Sequence, residues 1–105
     1  MGERPDTASG GTKGNRRRKS FEQLFAELQQ RKRDRPAGSK TVEELDKGIP
    51  FIVSKTHEEV SEAWKAWDKN ETKEQLALEI SQAIYHLEVM MVAHDLELDD
   101  IYEFL

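Results

Sequence analysis

Cysteine is absent from all 105 residues, which excludes disulfides, a thiol nucleophile and a zinc–thiolate site. Long apolar runs are missing too. None approaches the ~18 residues needed to span a bilayer, and the N-terminus has no apolar core of the signal-peptide kind, so the expected address is the cytoplasm. No segment carries strand periodicity, and there is no internal repeat. Positive charge is scarce where a nucleic-acid surface would need it. Residues 1–20 carry six Lys or Arg against two acids, whereas residues 21–105 carry ten against nineteen, so the net charge of −5 divides into an arm near +4 and a body near −9. Affinity for polyphosphate chains comes mainly from lysine and arginine, so such a body argues against nucleic acid as a partner. A phosphorylated small molecule would need its repulsion offset, most simply by a divalent cation.

What is present is helical punctuation. Residues 1–19 are Gly, Ser, Thr, Lys and Arg rich with almost no large apolar groups, and read as a disordered basic arm. The domain proper spans 20–105. Ser20 with Gln23 makes a capping box for a helix whose stripe is Phe21, Leu24, Phe25 and Leu28, ending near Arg35 because Pro36 and Gly38 follow. Thr41 with Glu44 repeats the capping pattern for a short helical turn that Gly48 ends, and Pro50 suits the first turn of the next helix. From Phe51 to Asp68 the spacing places Ile52, Thr56, Val60, Ala63, Trp64 and Trp67 on one apolar arc. Thr72 with Gln75 opens a helix to about His94, and a short terminal helix begins near Leu98.

The helix from Thr72 is apolar on two sides, with Leu76, Ile80, Ile84, Leu87 and Met91 on one and Leu78, Tyr85, Val89 and Val92 on another. A small domain buries only roughly two-thirds of its unfolded surface. The expectation is therefore an all-α helical bundle completed by homodimerisation.

Two polar strips interrupt these helices. Glu59 and Glu62 are neighbours three apart, with Lys55 on the same strip and Glu58 further toward solvent. Clustered acids repel unless a cation sits among them, and Mg²⁺ takes oxygen ligands while keeping waters for a phosphate substrate. Glu79, Gln82 and His86 form the second strip, on an otherwise greasy helix, and could face the first across a shared metal. The chemistry would be water attack on phosphorus with a carboxylate orienting or deprotonating the water. The bland readings are that Glu-x-x-Glu recurs on exposed helices by chance, that His86 is a hydrogen-bonded bundle histidine, and that His57 and His94 face solvent. Trp64 and Trp67 read as core or interface residues before base-stacking platforms.

In Phe21-Glu22-Gln23-Leu24-Phe25, Arg35-Pro36-Ala37-Gly38-Ser39-Lys40-Thr41, Lys55 before Glu58-Glu59-Val60-Ser61-Glu62, Glu79-Ile80-Ser81-Gln82 with Tyr85-His86, and Leu98-Asp99-Asp100-Ile101-Tyr102, the chain resembles the phosphoribosyl-ATP pyrophosphohydrolases of histidine biosynthesis, relatives of the all-α nucleoside triphosphate pyrophosphohydrolases. The resemblance implies hydrolysis of phosphoribosyl-ATP to phosphoribosyl-AMP and pyrophosphate by a Mg²⁺-binding homodimer. It implies Glu59, Glu62 and Glu79 as catalytic metal ligands with Glu58 in the same metal cluster. Lys55, Ser39, Thr41, Gln82 and His86 are the substrate-binding residues it implies. Three positions depart from the pattern: Gln82 where the wider superfamily tends to have aspartate, Ser54 in place of the first lysine of a pair, and His94-Asp95 in place of Arg-Gly. They leave open a paralogue acting on another nucleotide, and a helical dimer serving as a binding subunit.

Overall fold

The structure, a computed structural model, describes residues 18–69 and 72–105; the basic run Arg16-Arg17 and the rest of the arm's first 17 residues lie outside them. Five helices and no strand occur among the described residues: α1 (Phe21–Asp34), α2 (Lys40–Lys47), α3 (Ile49–Asp68), α4 (Lys73–Ala93) and α5 (Leu98–Tyr102).

Ser20 caps α1 as its spacing predicts. Its hydroxyl accepts from the Gln23 amide at 3.0 Å while the Gln23 side chain accepts from the Ser20 amide at 2.8 Å. The helix ends at Arg35, which takes the left-handed conformation (φ 49°) before Pro36. Lys19, at the edge of the arm, pairs with Glu27 of α1.

The start of α2 corrects the sequence reading. Ser39, two residues earlier than expected, is the cap, accepting from the Val42 amide at 3.2 Å. Thr41 and Glu44 are then free to turn inward, and both are buried. Gly48 joins α2 to α3 at φ 98°, a region that favours glycine, and Pro50 follows in the first turn of α3.

Helix α3 buries Ile52, Thr56 and Ala66. The expected arc therefore holds for its first half and rotates away in its second: Val60, Trp64 and Trp67 are exposed, the tryptophans at 60% and 67%, and Ala66 turns inward in their place. Thr72 caps α4, but the Gln75 side chain donates forward to Glu79 (2.9 Å) instead of accepting from the cap's amide. At the other end the Asp95 amide bonds the Val92 carbonyl and the Leu96 amide bonds that of Met91, a Schellman closure with Asp95 as the left-handed residue (φ 60°). Aspartate does here what glycine usually does.

The most extensive packing is between α3 and α4, with α1 and α2 laid over them. Phe25, Leu28, Ile52, Tyr85, Val89 and Val92 make the core. One apolar side of α4 is consumed by it. The other, Ile80, Ile84 and Leu87, is exposed, as are Val53, Val60 and the tryptophans on α3. By length and composition α4 could cross a membrane, yet the same helix buries Glu79, His86 and Glu88 inside this bundle.

Candidate active site

The two polar strips meet where α3 and α4 pack. Glu59 is half-buried, and its carboxyl is raised above the ordinary 4.5 first by that burial. The His86 charge opposes the rise, Glu79 adds to it, Lys55 opposes it and Glu58 adds to it. Four of the residues singled out by spacing thus lie within the electrostatic reach of Glu59, two of them from another helix.

Their individual contacts differ. Glu79 is buried and accepts from Gln75. Glu58 is exposed and pairs with Lys55 at 3.2 Å. Glu62 is not among the charges acting on Glu59; it lies 3.9 Å from Lys65 and remains nearly half exposed. Gln82 is half-buried, and its main-chain carbonyl accepts from His86 Nδ1 at 3.2 Å. Ser39 is spent on capping α2. The Thr41 hydroxyl, fully buried, lies 2.7 Å from that of Tyr85. His57 and His94 face solvent as expected.

Sequence reasoning missed two acids. Glu44 crosses from α2 to His86, its oxygens 3.1 and 3.2 Å from Nε2, with both side chains almost fully buried. It had the spacing of a cap partner, which masked an inward position. Glu88 is 0% exposed with no hydrogen-bond partner for either oxygen, and it is pushed up to about 8, by burial first and by Glu22 second. Its signal was present: one acid inside the apolar run Leu87 to Val92.

Among the described residues no three Asp, Glu, His or Cys side chains converge into a complete metal-binding set. What α3 and α4 provide is partial and made of carboxylate oxygens, with Glu59 held in the field of Glu79. That suits Mg²⁺, which commonly takes one or two protein carboxylates and completes its shell with water and substrate phosphate. A cleft of about 330 Å³ between α1 and the α4–α5 connection, lined by Gln29, Lys32, Val92 and Asp95, includes none of these acids. Its lysine is occupied by Asp95 at 2.7 Å and the Val92 carbonyl at 3.1 Å.

Among the described residues the chain is an all-α bundle in which acids of two helices come within electrostatic reach of one another. Residues 19–105 match the family model for phosphoribosyl-ATP pyrophosphohydrolase, and the chain belongs to that family. Its activity is that of a phosphoribosyl-ATP diphosphatase, in histidine biosynthesis.

Proposed function

We propose that Glu59, Glu62 and Glu79 carry this hydrolysis with Mg²⁺, in a cytoplasmic homodimer. The observation that supports the reading best is the influence of Glu79 on Glu59, acids from different helices that α3 and α4 bring together. Water attacks phosphorus, the anhydride bond breaks, and phosphoribosyl-AMP and pyrophosphate leave. Glu59, Glu62 and Glu79, with Glu58 in the same acidic cluster, would hold Mg²⁺, which would neutralise phosphate charge. A carboxyl with raised proton affinity suits Glu59 to orient the water and take its proton. Lys55 meets substrate phosphate, exchanging its exposed partner Glu58 for it. Ser39 fixes the start of α2 and with it the loop beside the substrate, while Thr41, Gln82 and His86 shape the site from beneath.

The homodimer is supported by the uncovered apolar face of Val60, Trp64, Ile80, Ile84 and Leu87. At about 25 cal/mol per Å² its burial is a substantial driving force.

Pyrophosphate release from phosphoribosyl-ATP and from a panel of nucleoside triphosphates, with Mg²⁺ and with chelator, tests the assignment. Turnover of phosphoribosyl-ATP alone, lost in chelator, is expected. Undiminished release in chelator would refute the metal, and preference for another triphosphate would refute the substrate.

A further inference from the structure

Glu44 belongs to α2, a helix that contributes no acid to the α3–α4 cluster, yet it is tied to that cluster through one ring. The Gln82 carbonyl can only accept, so His86 Nδ1, 3.2 Å away, must carry a proton. On the other side of the ring, the Glu44 carboxylate straddles Nε2 at 3.1 and 3.2 Å, and Oε1 has no donor of its own. An ionised carboxylate can only accept as well, so Nε2 must also donate. The alternative, a proton on Glu44 and a bare Nε2, leaves a neutral ring near Glu59. Burial drives the Glu59 carboxyl up, Glu79 and Glu58 push the same way, and the strongest opposing influence is the charge of His86.

We propose that Glu44 is a positioning residue of the pyrophosphohydrolase site: through its contact with Nε2 it fixes the His86 ring, doubly protonated, between α2 and the carboxylates of α3 and α4. The inference rests on the assignment of Glu59 and Glu79 to the reaction. Glu44 touches no reacting atom; it acts through the histidine. A buried ion pair of this kind is a weak source of net stability. Its consequence here is a fixed positive charge beneath acids that would otherwise only repel one another.

The test combines a spectroscopic and a kinetic measurement on the full chain. Long-range ¹H–¹⁵N correlation of the His86 ring is expected to show protons on both nitrogens in the wild type near neutral pH. Glu44→Gln should yield a ring protonated at Nδ1 alone, because the introduced amide can donate to a bare Nε2. Its kcat should fall about tenfold with KM within about twofold, less than the ~10²-fold typical of losing a group that acts directly on the reacting atoms. Glu44→Asp, which keeps the charge, should recover most of that loss. A wild-type ring with a single proton overturns the proposal without any variant, as does a folded Glu44→Gln enzyme with unchanged kcat. The underlying site assignment fails separately: if Glu79→Gln retains full turnover, the carboxylate site is misplaced whatever Glu44 does.

Discussion

The Tyr102 hydroxyl donates a 2.8 Å hydrogen bond to Glu22, fastening the last helix to the first across 80 residues of chain. The bond holds the Glu22 carboxyl below its ordinary 4.5 and the Tyr102 phenol above its ordinary 10. A depressed acid contributes stability above its unfolded value and loses it as pH falls through its folded value. A raised phenol contributes below its unfolded value and loses it on the alkaline side. The latch should therefore hold between about these limits and release beyond them. Tyr102→Phe should raise amide exchange across α5 at neutral pH while α3 and α4 stay protected; uniform protection in the variant would show that the latch does not hold α5.

Glu88 makes the stability of the fold depend on pH. Its folded value of about 8 lies far above the ordinary 4.5. Below about 4.5 both states hold the proton and there is no penalty; between about 4.5 and 8 the unfolded chain releases it and the native protein keeps it, so stability falls with rising pH at up to ~1.4 kcal/mol per unit. At pH 7 the cumulative loss is on the order of 3 kcal/mol. Glu88→Leu fills the same apolar surroundings without a buried carboxyl. Chemical unfolding from pH 5 to 8 should show the wild type weakening relative to this variant. Parallel curves would mean that Glu88 finds a partner in solution.

Glu79 repels Glu59 in the unliganded site and Glu62 lies nearly half exposed beside Lys65, so neutralising either acid should be tolerated. Glu62→Gln or Glu79→Gln should leave the helical signal intact and the melting temperature unchanged or slightly higher. Stabilisation by millimolar Mg²⁺, expected for a cation that binds the native state only, should disappear in both, and turnover should drop at least ~10²-fold. Equal Mg²⁺ stabilisation in wild type and variants, with activity retained, would place the metal elsewhere.

The exposed face of α3 and α4 should be covered by a second copy. Light scattering at micromolar concentration should give twice the chain mass of 12.1 kDa. Ile84→Glu, which sets a charge on that face, should shift it toward the single-chain mass. A wild type that stays at 12.1 kDa throughout would remove the dimer.

Much of the architecture was legible because helix boundaries are local chemistry. Ser20 and Thr72 cap because a hydroxyl before a helical stripe has an amide to accept from three residues on. Pro36 and Gly48 break the chain by their own backbone limits. The polar strips were legible for the same reason, since residues three and four apart share a face in any helix. That periodicity put Glu59 and Glu62 on one strip of α3, and Glu79, Gln82 and His86 on one strip of α4; His86, read as a hydrogen-bonded bundle histidine, is bonded to Glu44 and Gln82.

Where a local rule misplaced an element, distant side chains were the reason. Thr41 with Glu44 has the spacing of a helix start, yet Ser39 caps α2, and Thr41 and Glu44 turn inward to Tyr85 and His86, more than 40 residues away. The apolar arc of α3 likewise gave no sign that its second half would leave Trp64 and Trp67 outside the chain's own core, because periodicity reports which residues share a face and not whether a neighbour reaches it. Most helix ends, and the acids that share each strip, were thus set by short-range spacing within the sequence itself. Which carboxylates lie buried, which one His86 answers to, and how strongly Glu88 resists ionisation were decided only in the tertiary structure, because desolvation and charge coupling depend on what surrounds a group in space and fall off over distances that the chain's linear order does not record.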